Sequence, residues 1–116
     1  VDDQVGVPTD AGEVARVCER IVKGDLPLEE GVHHASGTEK VTWYGFAQAI
    51  LKTAVAEKGP NAALTLVAVS TEDYPTPATR PTNSVLGGGQ HLGICSWKVG
   101  LEGSVATLLE MRAVTG

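Results

Sequence analysis

Three stretches of the sequence carry apolar residues at helical spacing, yet only two or three runs between them are short and β-rich enough to be strands. That ratio limits the fold more than anything else in the chain. A helix with one apolar face must bury it against a second layer, and helices alternating with strands point to α/β construction. Two or three short strands make only a small layer and a small core. The pattern reads as a portion of a larger sheet.

Residues 1–9 read as a strand end followed by a turn, punctuated by Gly6 and Pro8. Thr9 or Asp10 can cap the first helix, and Asp10 with Glu13 has capping-box spacing. Ala11, Val14, Ala15, Cys18, Ile21 and Val22 then form one apolar face, closed by Lys23 and Gly24. Residues 31–35 suit a short strand. Thr42 offers the cap of a second helix, whose stripe runs through Trp43, Phe46, Ala47, Ile50, Leu51, Ala54 and Val55 and stops at Lys58-Gly59-Pro60. Residues 64–69 (LTLVAV) have strand length and composition. A last helix over residues 101–112 puts Leu101, Val105, Leu108 and Leu109 on one face. Gly100 and Gly103 weaken its start.

Charge narrows the partners. Nine basic against fourteen acidic residues give a net charge of −5, the wrong sign for the basic field with which nucleic-acid binding begins. No apolar run approaches the ~18 residues of a membrane span. One well-placed Arg can still hold a phosphate in an acidic protein. Cys18 and Cys95 match no metal or redox spacing. Cys18 falls on the first helix's apolar face, where a buried thiol is expected. Without a disulfide framework a reducing compartment, the cytoplasm, is favoured.

Catalytic signatures are missing. Neither tyrosine has a lysine four residues on, since Gln48 follows Tyr44 and Ala78 follows Tyr74; no Tyr-x-x-x-Lys pair can donate a proton to a carbonyl. Gly87, Gly88 and Gly89 do not form the G-x-G-x-x-G turn that seats a dinucleotide. His33 and His34, as strand neighbours, would point to opposite faces and hold no metal together. Asp2 and Asp3 read as strand-end hydrogen-bonding carboxylates.

The segment Tyr74-Pro75-Thr76-Pro77-Ala78-Thr79-Arg80-Pro81-Thr82-Asn83-Ser84 is different. Its prolines fix φ, and polar groups on a stiff loop lose less entropy on binding. Arg80 can fork onto a diphosphate while Asn83 and Ser84 bond a sugar or anchor the loop. Equally, Arg80 can pair with the acidic surface and the prolines merely stiffen a connection. Chemistry alone leaves both readings open.

Four motifs together bear a family resemblance. Asp3-Gln4-Val5-Gly6-Val7-Pro8-Thr9 resembles the DQ-x-G-x-PT motif of dTDP-4-dehydrorhamnose reductases. Gly31-Val32-His33-His34 is similar to their G-x-YH segment, and Thr42-Trp43-Tyr44-Gly45-Phe46-Ala47 to their [ST]W-x-x-[FY]A helix start. The 74–84 loop resembles YPTPA-x-RP-x-NS, the most specific of the four. Trp97 followed by Leu101 fits the start of their final helix.

The resemblance implies the carboxy-terminal portion of an extended short-chain dehydrogenase/reductase, an α/β NAD(P)-binding Rossmann-like fold. Residues 1–116 would be its sugar-nucleotide-binding part, with NADPH or NADH and the catalytic Tyr-x-x-x-Lys in an amino-terminal Rossmann domain absent here. The family reduces the 4-keto group of a dTDP-sugar to give dTDP-L-rhamnose. By analogy Arg80 would meet the diphosphate, Gln4 and Thr9 would line the cleft, and Asn83 and Ser84 would shape its wall. The chain alone would bind no cofactor and be inactive. A non-catalytic nucleotide-sugar-binding or regulatory module is the alternative.

The sequence also departs from the family pattern. His33 stands where tyrosine is usual, Leu86-Gly87 replaces Leu-Asp, glycines replace the short helix that follows, and Ser96 replaces a proline. The local fold of residues 87–96 is therefore open. The chain begins at Val1, inside what reads as a strand, so an upstream start is expected. Strands suited to a sheet interior leave open edges, so self-association is expected too.

Overall fold

The computed structural model describes residues 1–58 and 64–115. The elements run β1 (Val5–Gly6), α1 (Ala11–Lys23), β2 (Val41–Thr42), α2 (Trp43–Lys58), a 3₁₀ turn (Gln90–Leu92) and α3 (Trp97–Thr115). This is α/β construction with three helices and one two-stranded sheet. β1 and β2 pair antiparallel, Val5 opposite Thr42 and Gly6 opposite Val41. The Cα radius of gyration is 17.0 Å, against about 13 Å for a compact domain of about 100 residues. The shape is open.

The first six residues form the hub. Asp2 N–H donates to Val69 O (2.9 Å), and Tyr44 N–H donates to Val1 O (3.0 Å). Val5 N–H donates to Thr82 O (2.8 Å) and Val5 O accepts from Ser84 N–H (2.9 Å), so the 82–84 segment lies beside β1 in a parallel bridge between Val5 and Asn83. Asp2 accepts from the Thr42 hydroxyl (2.7 Å), and Asp3 accepts from Thr71. Both aspartates are hydrogen-bonding groups, as the sequence suggests.

The ends of α1 and the start of α2 follow the sequence. Asp10 caps α1, accepting from Glu13 N–H at 3.0 Å. The Glu13 carboxylate does not close a capping box; it accepts from Cys95 N–H (3.3 Å) and pairs with Arg16. Gly24 ends α1 at φ 79°, in the left-handed region that glycine enters without steric cost. Thr42 caps α2 by accepting from Gly45 N–H at 3.0 Å. α2 runs to Lys58, while Gly59 and Pro60 lie outside the described residues. α3 begins at Trp97, four residues before the expected start, and continues to Thr115.

Packing departs from expectation in three places. α1 turns Val17 inward, 6% exposed, and leaves Val22 on the surface; Cys18 is exposed, not buried. Residues 31–35 form no strand: Gly31 takes φ 150°, and no backbone hydrogen bond joins them to another described segment. Residues 64–69 form none either. No described strand runs beside them, and Leu64, Leu66 and Val67 are exposed.

The core lies where the sequence is least readable. Leu92 and Ile94 pack with Val17, and Leu26 and Leu28 flank them. This cluster is fed by a close backbone crossing. A Cβ on Gly89 would stand 2.4 Å from the His34 carbonyl oxygen, so only glycine lets the 87–91 segment cross here. The second contact joins α2 to α3, where the Phe46 and Trp97 rings meet edge to face at 5.2 Å and 86°. Trp97 Nε1–H donates to Glu39 O (3.1 Å), and Val105 of α3 is buried too.

Candidate functional site

The β1–β2 pairing and the capped start of α2 enclose a cleft of about 340 Å³, within the range of small-molecule sites. Val41, Thr42, Trp43 and Phe46 form one wall, and Gly6–Thr9 with Ser84 form the other. A second hollow of about 510 Å³ continues past Pro8, Thr9 and Phe46 to Trp97 and the start of α1. The first cleft offers aromatic faces beside hydroxyls, a surface suited to a ring with polar edges.

Of the five residues the sequence nominates, two line this cleft. Thr9 stands between the two hollows, its hydroxyl donating to Val7 O (3.3 Å) and accepting from Gly37 N–H (3.2 Å). Ser84 lines the first and donates to Val5 O (3.2 Å). Gln4 lies elsewhere, donating from Nε2 to the Thr71 hydroxyl (3.0 Å). Asn83 accepts from Val85 N–H (3.0 Å) and so steadies its own turn. Arg80 is exposed on the proline loop. Among the described residues no acidic side chain pairs with it.

Sequence reasoning placed Trp43 and Phe46 on a helix stripe and Thr42 at a cap, without assigning them to a cleft. The signal lies in the Thr42–Ala47 motif, where Gly45 between two aromatics leaves room for the Val41 side chain. Glu39 was missed altogether. Its carboxylate accepts from the Ser96 hydroxyl and from Lys98 Nζ (3.2 Å), and its backbone oxygen holds Trp97.

Two carboxylates here are held below their usual range. Thr71 lowers Asp3 through its hydroxyl (2.6 Å) and its N–H (2.9 Å). The Ser96 hydroxyl, then Lys98, lowers Glu39. A carboxylate whose folded pKa is depressed favours folding above its unfolded value, about 4, and loses that contribution as pH falls through the folded value. Asp3→Asn and Glu39→Gln should therefore separate from the parent chain in urea midpoint at neutral pH, and the gap should close as pH drops below about 4. A gap that stays constant between neutral pH and pH 3 overturns this assignment.

Among the described residues no group of three or more His, Cys, Asp or Glu converges as a metal site. No described helix is long and apolar enough to cross a membrane.

The chain matches the family model for the RmlD substrate binding domain over residues 1–109. It is 41% identical over 90 residues to the dTDP-4-dehydrorhamnose reductase of Aggregatibacter actinomycetemcomitans, covering 74% of this chain and 30% of that protein. It is 31% identical over 121 residues to the dTDP-4-dehydrorhamnose reductase of Escherichia coli K12, covering 98% of this chain and 40% of that protein. Among solved structures, the Clostridium acetobutylicum dTDP-4-dehydrorhamnose reductase superposes with a TM-score of 0.75 at 28% identity, covering 94% of this chain and 38% of that one. The Bacillus anthracis reductase in complex with NADP gives a TM-score of 0.70 at 28% identity, covering 87% and 34%. The chain thus spans well under half the length of these relatives. With its motifs, its fold and this match in agreement, the chain belongs to the family of the RmlD substrate binding domain, found in dTDP-4-dehydrorhamnose reductases.

Proposed function

We propose that residues 1–116 are the sugar-nucleotide-binding part of an NAD(P)H-dependent dTDP-4-dehydrorhamnose reductase, working in the cytoplasm and inactive alone. The observation that carries this reading is the cleft bounded by Thr9, Trp43, Phe46 and Ser84, built from the family's own motifs. Its walls offer hydroxyls and aromatic faces for a sugar or base. Reduction of the 4-keto group needs a hydride from a nicotinamide and a proton from a positioned acid. Both would come from an amino-terminal Rossmann domain packed against this part. The open shape and the unladdered residues 64–69 suit a piece completed by such a domain, and the same edge would drive self-association while uncovered.

In this reading Arg80 pairs with the diphosphate, and the ring of the sugar or base lies against Trp43 and Phe46. Gln4 and Asn83 act by fixing the 70–73 turn and the 83–85 turn. The test is a titration of the chain with dTDP-rhamnose, followed by amide NMR. Shifts at Thr9, Trp43, Ser84 and Arg80 are expected, with no turnover of NADPH and dTDP-4-dehydrorhamnose. Arg80→Ala should weaken binding by about 1.5–3 kcal/mol, roughly tenfold or more, as for other hydrogen bonds to charged groups. Peaks that do not move would overturn the autonomous site; tight binding untouched by Arg80→Ala would remove Arg80 from it.

A further inference from the structure

Two departures from the family pattern meet in space. His33, where tyrosine is usual, and His91, in the rebuilt 87–96 segment, bring His33 Nδ1 and His91 Nε2 to 3.2 Å. Their rings lie edge to face, centroids 5.3 Å apart. Fifty-eight residues separate them in sequence, so the contact is made by the fold, through the tight crossing of Gly89 over the His34 carbonyl.

We propose that His33 and His91 form a two-histidine site for a divalent transition ion such as Zn²⁺. The tautomers favour it. His33 Nε2 stands 2.8 Å from the Glu29 carbonyl oxygen, which can only accept, so Nε2 carries the proton and Nδ1 presents its lone pair to His91. A ligating imidazole typically donates its other N–H to a carbonyl or carboxylate, which fixes the ring; Glu29 O already fills that role. With the ion absent, His91 Nε2–H donates to His33 Nδ1. An ion replaces that proton once His91 carries its own on Nδ1.

The spacing also fits. Two zinc–nitrogen bonds of about 2.0–2.1 Å at a tetrahedral angle set the nitrogens about 3.3 Å apart, close to the observed 3.2 Å. No described third ligand joins them, so water fills the remaining positions and exchangeable binding follows. His34 is excluded. Its Nδ1 faces the Gly87 carbonyl (3.1 Å), which leaves one lone nitrogen and no chelate. The ion would staple the 87–91 segment to residues 29–34, over the chain's main core cluster.

The test is a Zn²⁺ titration of the chain carrying Cys18→Ser and Cys95→Ser, which removes the two exposed thiols as competitors. Imidazole NMR signals and equilibrium dialysis report the outcome. One equivalent should bind, with the His33 and His91 signals moving on a single curve. His33→Gln and His91→Gln should each weaken binding by at least about tenfold, the low end seen for loss of even an outer partner of a metal ligand. His34→Gln should leave it unchanged. Three histidines moving on separate curves would overturn the site, as would equal losses from all three variants. Because the ring signals are read in the chain with both histidines intact, the result does not depend on the folding of a histidine variant.

Discussion

Trp97→Ala should cost about 3–5 kcal/mol of folding free energy, the usual range for truncating a buried tryptophan. Trp97 is 7% exposed and closes three contacts at once. Its ring meets Phe46 edge to face, its Nε1–H donates to Glu39 O, and its outer face carries Lys98 Nζ at 5.6 Å. Natural domains hold only about 5–15 kcal/mol in all, so the loss would remove a large share of what joins α2 to α3. The measurement is urea unfolding, with the midpoint falling and the slope unchanged. Trp97→Phe separates the terms, because it keeps an aromatic edge on Phe46 and loses the Glu39 bond, worth about 0.5–1.5 kcal/mol. A loss below about 1 kcal/mol for Trp97→Ala would show that this contact does not hold the helices together. The effect should reach the cleft as well, since Phe46 lines it and would lose its backing.

What the sequence made legible was local. The caps at Asp10 and Thr42 and the stop at Gly24 depend on one residue and its neighbours three or four positions away, and the structure places all three as expected. The family motifs were legible for a related reason, since each is a short string with a fixed internal geometry. Strands were not, because a strand exists only with a partner. Residues 64–69 have the right composition, yet among the described residues no strand lies beside them and their one backbone bond to another segment is from Asp2 to Val69. Residues 31–35 make no backbone bond to another described segment. Periodicity also misjudged α1. It counted every apolar position equally, while only the side of the helix that meets Leu92 and Ile94 is covered, and that side centres on Val17 rather than Cys18. In the site, composition alone could nominate Arg80 and Ser84 but not say which of them faces a cleft. That depends on the bridge between Val5 and Asn83, far beyond the reach of a motif. The His33–His91 pair is hidden for the same reason.

Leu92→Ala tests the least legible part most directly and should cost about 2–5 kcal/mol. Leu92 follows three glycines within five residues and sits in a three-residue 3₁₀ turn, a context that reads as a loose surface loop. It is nonetheless 2% exposed and the largest fully buried side chain described. Val22 supplies the contrast, since it lies on the face of α1 that periodicity selects and is 87% exposed. Val22→Ala should therefore change stability by less than about 0.5 kcal/mol, as exposed substitutions usually do. Urea midpoints of the two variants, measured side by side, decide between two packings of the same helix. If Leu92→Ala is severe and Val22→Ala neutral, α1 is held through Val17 against the 90–94 segment. Equal losses would mean that α1 packs through the Ile21–Val22 side in solution. A neutral Leu92→Ala would mean that the segment after the glycines contributes little to the fold, and the platform that sets His91 against His33 would go with it.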